Sequence, residues 1–345
     1  MEAGATVFCL PKSNQGREVG ISQAEQAEAG PINRRAIPPA AQEGKWLAAD
    51  GHAIRRIDWP GASGAGAARG SILFMAGRAD GYEKYLECLE QWHRAGWRVT
   101  AADWRGQAGS GRLGNDPYTG HIDDFSTWVN DLAALWSDWK AATPGPHVLA
   151  GHSMGGHISL RTLAERKVDP AAAFFTAPML GLYGQPLPYA AMHEVAKFMC
   201  KLGDPMRPAW KWSDDPHELP AGRTALLTHD AERYSDEGWW RRERPELIMG
   251  PGSWGWLERA YASMRSLYEP GVLEAVTVPV LILSALHDKL VSAKKTAECA
   301  LRMPDCELIE FGEECYHEIL REEDAVRDRA MASIAEFLDR VAPAG

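Results

Sequence analysis

The sequence predicts an α/β protein: a mainly parallel sheet flanked by helices, with a helical cap inserted late in the sheet. Three observations predict it. From Ile54 onward, short β-branched and apolar runs alternate with helical patterns, the rhythm of a parallel sheet covered on both faces. The run Gly151-His-Ser-Met-Gly155 stands between one such strand and one such helix, as a sharp turn would. Between Met179 and Gly271 the rhythm stops, leaving a stretch rich in Pro, Trp and charged residues with little strand character.

The elements follow in order. Residues 1–40 are polar and rich in Gly, Ala, Pro and Gln without periodicity, and read as a flexible extension. Residues 41–178 and 272–345 are expected to form the core, and 179–271 the cap. The predicted strands are Ile54–Trp59, Ser71–Met75, Arg98–Asp103, His147–Gly151, Ala171–Thr176, Val278–Ser284 and Glu307–Phe311. Residues 61–70, rich in Gly and Ala, make a loop between the first two. The predicted helices are Tyr82–Ala95, Phe125–Ala142, Met154–Ala164, Ala293–Arg302 and Glu322–Val341. In Phe125–Ala142 the apolar positions Phe125, Trp128, Val129, Leu132, Leu135, Trp136 and Trp139 recur at spacings of three and four, one buried helical face. The cap stretch holds Trp210, Trp212, Trp239, Trp240, Trp254 and Trp256. It is expected to lie over the carboxyl ends of the strands, where open α/β sheets bind ligands.

Composition narrows the partners. A formal net charge of -10 and the lack of a Lys/Arg-rich run argue against nucleic acid. They also argue against electrostatic docking on an anionic membrane, leaving at most transient contact with a membrane or micelle surface. The cysteines Cys9, Cys88, Cys200, Cys299, Cys306 and Cys315 are scattered without a CxxC pair, so neither zinc nor dithiol chemistry is expected. Met1 to Pro11 lacks the pattern of a secretory signal, and no run of about 18 apolar residues could cross a membrane. A cytoplasmic protein is expected, with free thiols.

The chemistry centres on Ser153. The pattern G-x-S-x-G between a strand and a helix lifts a serine hydroxyl above the sheet on a strained turn. Side chains at Gly151 and Gly155 would collide with neighbouring backbone, and the following helix amino terminus favours developing negative charge. A serine needs a base, and in the α/β-hydrolase fold the partners arrive in the order Ser, acid, His. Asp288 stands just past the run Val280-Leu-Ile-Leu-Ser-Ala285 and is the expected acid; Asp305, before the next strand, is the poorer alternative. His317 alone of the eleven histidines falls after the last strand and before the C-terminal helix, and is the expected base. His287 is expected to face solvent, and Glu310 and Glu318 to be solvated or structural. The oxyanion would be held by the backbone N–H of Met154 and by that of Arg78, on the turn after Ser71–Met75. The Arg78 guanidinium is left to pair with Asp80 or to steer a polar headgroup. The six cap tryptophans are candidates for an acyl-binding wall. No HExxH motif or ligand-spaced His/Asp/Glu set is present, so neither metal nor organic cofactor is expected.

These residues resemble the monoacylglycerol lipase and lysophospholipase branch of the α/β hydrolases, with the closest likeness to lysophospholipase L2-type and serine aminopeptidase S33-type proteins. The likeness rests on Met75-Ala-Gly-Arg-Ala-Asp-Gly-Tyr-Glu-Lys-Tyr85, Asp103-Trp-Arg-Gly-Gln-Ala-Gly-Ser-Gly-Arg112, Gly151-His-Ser-Met-Gly-Gly156 and Cys315-Tyr-His-Glu-Ile319. It runs from about Trp46 to Leu338 and includes the cap phrases Leu227-Thr-His-Asp230 and Ser253-Trp-Gly-Trp-Leu257. The second stretch, with Asp103, Arg105 and Gly106, reads as structural. Ala76-Gly77 stands where many such lipases carry His-Gly, and Ala108 where a glycine is usual.

The resemblance implies hydrolysis of a single acyl ester on glycerol or a glycerophospho headgroup. Two other readings stay open. A small-molecule carboxylesterase or a peptidase could use the same machinery; a peptidase would need an acidic cap residue for a free amine, and Asp214, Asp215, Glu218, Asp230 and Glu232 are available. A catalytically silent binding protein on the same scaffold is the third.

Overall fold

Strands with no polar face must be covered on both sides. Ser71-Ile-Leu-Phe-Met75, Ala172-Ala-Phe-Phe-Thr176 and Val280-Leu-Ile-Leu-Ser-Ala285 are buried at every position. In the computed structural model they lie inside one eight-stranded sheet. The structure describes residues 30–61, 68–212, 215, 218, 219 and 222–343, and all the strands and helices belong to the unit Ile32–Gly345.

The strands are β1 (Gln42–Leu47), β2 (Ala53–Trp59), β3 (Ser71–Met75), β4 (Arg98–Ala102), β5 (His147–His152), β6 (Ala172–Thr176), β7 (Val280–Ala285) and β8 (Cys306–Phe311). Their order across the sheet is β1-β2-β4-β3-β5-β6-β7-β8. β1 and β2 pair antiparallel to their neighbours, and every pairing from β4 to β8 is parallel. The strand order reverses between β3 and β5, which makes a crevice beyond their carboxyl ends.

The helices are α1 (Leu86–Arg94), α2 (Phe125–Ala142), α3 (Met154–Ala164), α4 (Tyr189–Lys201), α5 (Thr224–Leu227), α6 (Ala231–Glu243), α7 (Trp254–Tyr268), α8 (Ala293–Ala300) and α9 (Asp324–Val341). α2 starts where Asp124 caps it, accepting from the Ser126 N–H, and it buries the seven apolar residues whose spacing predicted it. Each fully buried Leu or Phe of this kind contributes about 1.5–3 kcal/mol. Between β6 and β7 the chain forms α4 to α7, and among the described residues it adds no strand there.

Three expectations need correction. β1 is absent from the sequence reading because its side chains are almost all exposed; an edge strand with one neighbour carries no burial pattern. The segment Tyr82–Ala95 is not one helix: a turn of 3-10 helix, Tyr82–Tyr85, precedes α1. Residues 32–40 are not a loose tail. Arg34 Nε and Arg35 Nε reach the two Asp236 oxygens on α6 at 2.6 and 2.5 Å, and the Arg34 carbonyl accepts from Trp240 Nε1 at 2.9 Å. Those partners lie some two hundred residues away, beyond any local pattern. The rest of the expected extension, residues 1–29, lies outside the described residues.

Candidate active site

β5 delivers Ser153 at its carboxyl end, where the backbone takes φ 51° and ψ −118°. A residue with a Cβ is held there at a cost of about 1–3 kcal/mol. The surroundings fix it: Ser153 N–H donates to Thr176 O at 3.0 Å, and Ser153 O accepts from Met179 N and His157 N at 2.9 and 3.0 Å. The turn is tight enough to need its glycines. A Cβ on Gly155 would overlap the carbonyl oxygens of Met75 and Ala76, and one on Gly151 would lie 2.8 Å from Gly155 C.

β7 and β8 deliver the partners. His317 Nε2 lies 3.0 Å from Ser153 Oγ, and Nδ1 lies 2.6 Å from Asp288 Oδ2. The other Asp288 oxygen accepts from the backbone N–H groups of Leu290 and Val291 at 2.7 and 2.9 Å, so the carboxylate cannot turn away. With Nδ1–H donated to Asp288, Nε2 is left to accept the serine proton. Burial disfavours a charged His317, but the adjacent Asp288, helped by Glu318 and Asp80, outweighs it and holds the histidine above its ordinary pKa. His152 packs edge-on against it, ring centroids 4.8 Å apart. Burial, with His317 nearby, pushes His152 down to about 3, so it stays neutral. His287 is exposed. Asp305 is exposed too and sits at the amino end of β7, its carbonyl accepting from Val280 N; it is far along the strand from the serine. Glu310 is exposed, whereas Glu318 is buried and ion-paired.

Arg78 and Met154 follow β3 and β5, adjacent parallel strands with Met75 opposite Gly151. Met154 opens α3, so its N–H has no acceptor within that helix. The loop carrying Arg78 is set by two residues that sequence reading passed over. Gln107 Oε1 accepts from Ala79 N at 2.7 Å while its Nε2 touches Met154 Sδ at 3.9 Å, and Trp104 Nε1 donates to Ala76 O at 2.8 Å. Both fall in the stretch read as structural, and only their spacing from Asp103 could have drawn notice. Asp103 itself is buried against Arg55 Nε at 2.6 Å, and Arg105 against Asp131 at 2.7 Å.

The Arg78 side chain does not pair with Asp80, which is bound to Lys84 and Tyr85. It donates to Gly250 O at 2.9 Å and lies over the rings of Trp210 and Trp256, 5.2 and 5.4 Å from their centroids. A cavity of ≈ 840 Å³ opens above Ser153 and His317, lined also by Met179, Leu182, Leu226, Leu227 and Val291. Trp210, Trp212 and Trp256 line it. Trp239, Trp240 and Trp254 do not. Trp240 packs edge-on with Trp239 and bonds Arg34, and Trp254 stacks under Arg207, so these three pack away from the cavity. Composition cannot tell a wall from a core, because both bury the same ring.

The stretch between β6 and β7 meets the histidine loop directly: Glu318 N donates to Leu227 O at 2.8 Å, Thr228 Oγ1 to Arg321 O at 2.7 Å, and His229 N to Glu322 Oε2 at 2.9 Å. Of the acids considered for a free amine, Asp230 pairs with Arg233 and Glu232 with Arg34, both at 2.7 Å. Asp215 and Glu218 are exposed and do not line the cavity. Asp214 lies outside the described residues. Among the described residues no group of three or more His, Cys, Asp or Glu is placed to hold a metal ion, and no helix is long and apolar enough to cross a membrane.

Known proteins resemble this chain. Residues 66–324 match the family described as serine aminopeptidase, S33. Lysophospholipase L2 of Escherichia coli K12 is 30% identical over 287 residues, covering 78% of this chain and 80% of that one. The chain belongs to this family. This S33-family chain is 27% identical to the probable lysophospholipase L2 of Haemophilus influenzae over 79% of its length and 85% of that protein's. Its fold matches a soluble variant of the Saccharomyces cerevisiae monoglyceride lipase with TM-score 0.69, at 19% identity, over 91% of this chain and 99% of that one. It has the α/β-hydrolase fold.

Proposed function

We propose that this S33-family chain hydrolyses a single fatty-acyl ester of a lysophospholipid or monoacylglycerol through Ser153, His317 and Asp288. The observation that carries the reading is the pair of His317 contacts, 3.0 Å to the serine hydroxyl and 2.6 Å to the aspartate. His317 takes the Ser153 proton as the hydroxyl attacks the ester carbonyl. The oxyanion is held by the Met154 and Arg78 N–H groups. The alcohol leaves with the proton from His317, and water activated by the same base releases the fatty acid. The stretch 179–271 acts as the cap, with Trp210, Trp212 and Trp256 facing the acyl chain. The described cysteines are unpaired, in keeping with work in the cytoplasm.

The test is fluorophosphonate labelling, followed by assay of wild type and Ser153→Ala on monoacylglycerols, lysophospholipids, short p-nitrophenyl esters and aminoacyl amides. Labelling at Ser153 and Ser153-dependent release of long-chain fatty acid are expected. Unlabelled Ser153, or a preference for acetate esters or amides, overturns the proposal.

A further inference from the structure

Beside the acyl-facing tryptophans the cavity wall is built of charge, and the charges do not balance. Among the described residues Asp80 and Glu318 are the carboxylates that line it, and Glu237 lies in contact with Lys84. Around them stand Arg78, Lys84, Lys211, Arg223, Arg241 and Arg321, and all but Arg321 and Glu237 of these nine line the cavity itself. Lys84 Nζ contacts Asp80, Glu318 and Glu237 at 2.7, 2.5 and 3.4 Å. Arg321 pairs with Glu318. Arg223 Nη1 and Arg241 Nη2 share a single oxygen of Glu237, each at 2.6 Å. Six cations thus stand around three carboxylates.

Lys211 is exposed, and the surplus away from solvent falls on Arg78 and Arg241. Arg78 has no ion pair with a described carboxylate; its one hydrogen bond goes to the Gly250 carbonyl. Arg241 is 3% exposed, and its Nη1 is buried without a hydrogen-bond partner. A buried guanidinium donor left unpaired costs more than its neutral counterpart would. Like charges add to this: burial first, then Arg223 and Arg241, bring Arg78 down to about 10 against the pull of Asp80. A ligand amine would be repelled by this wall. An anion would receive donors that are already in place, and a guanidinium fork matches the oxygens of a phosphate.

We propose that Arg78 and Arg241 bind the phosphate of the substrate's glycerol headgroup, so that this enzyme acts on phosphate-bearing lysolipids in preference to neutral monoacylglycerols. The proposal rests on the reading of Ser153 as nucleophile, because it places the phosphate in the same cavity as the leaving glycerol oxygen. It turns the choice between two substrate classes into a property of two side chains. It also sets this cavity apart from one that would hold a free amine.

The experiment compares kcat/KM of the full chain on 1-decanoyl-lysophosphatidylglycerol and 1-decanoylglycerol, which share an acyl chain. Wild type is expected to favour the phosphate-bearing ester by about tenfold or more, the scale of one charge-assisted contact. Arg78→Met, which keeps the backbone N–H, and Arg241→Met should each cut that ratio by about tenfold, with Arg78→Lys retaining part of it. Glycerol 3-phosphate should inhibit competitively where glycerol does not, and lose potency on Arg241→Met. Arg78→Met gives up one side-chain hydrogen bond, so it keeps the test open should Arg241→Met not fold. Equal or better turnover of decanoylglycerol by wild type, or an unchanged ratio in both variants, overturns the proposal. So does inhibition by inorganic phosphate as strong as by glycerol 3-phosphate without substrate preference, which marks a site for free anions. If Ser153 labels and decanoylglycerol is hydrolysed, those failures sink the headgroup site alone; an unlabelled Ser153 sinks both readings.

Discussion

Asp288 shows how much one oxygen can decide. One of its oxygens is tied to two backbone N–H groups and the other to His317 Nδ1, so Asp288→Asn should leave the fold intact and present the wrong partner to the imidazole. A fall in kcat on the order of 10⁴ is expected, the scale of that substitution in serine proteases; steady-state kinetics on a long-chain ester checks it. The pH profile follows from the same contact. His317 must be neutral to accept the serine proton, and its pKa is raised, so kcat/KM should climb with pH through an inflection above 6.5 and then level off. Asp288→Asn removes the raising charge while burial remains, so the residual activity should have its inflection at lower pH. His152, held near 3, should add no second step above pH 5. The order Ser153, Asp288, His317 was legible in the sequence because each ends or follows a strand whose apolar run is plain. Gln107, Arg241 and the Lys84 ion pairs were not. The cavity that gathers Arg241 and Lys84, and the contacts of Gln107 with Ala79 and of Lys84 with Glu318, join segments up to 234 residues apart, which no local spacing encodes.

At the scale of elements, legibility tracked burial. The central strands and α2 were readable to within a residue or two because both their faces, or one whole stripe, are buried. β1 and the joint between Tyr85 and α1 lack such a pattern. The turn after β4 is a different case, since the family resemblance marked Ala108 as standing where glycine is usual. Ala108 sits at φ 44°, in the left-handed region that costs an L-residue about 1–2 kcal/mol. Ala108→Gly should relieve more than the chain entropy it adds, raising stability by up to about 1 kcal/mol. Urea unfolding measures this; a lower midpoint would mean that the methyl group's burial in the core outweighs the strain.

For the whole molecule, the link between Arg34, Arg35 and α6 is ionic. Asp236 receives both Arg34 and Arg35 and is itself nearly buried. Asp236→Ala leaves two arginines without that carboxylate, one of them with Glu232 still in reach at 2.7 Å. A loss of about 1–2 kcal/mol is expected, discounted for the partial exposure of the arginines, and it should shrink in high salt. Thermal unfolding at two ionic strengths checks both statements. A negative net charge and a locally positive cavity coexist here because charge patterning is set by folding, not by composition.

The bonds from Leu227, Thr228 and His229 to the loop after β8 carry one more consequence. Inserted segments between strands are commonly treated as exchangeable modules on a constant scaffold. In this chain the stretch between β6 and β7 holds up the backbone beside His317, so the two parts must be exchanged as a pair. A chimaera that takes its cap from a relative must bring the 318–322 loop from the same parent, or its histidine will be left on an unsupported turn.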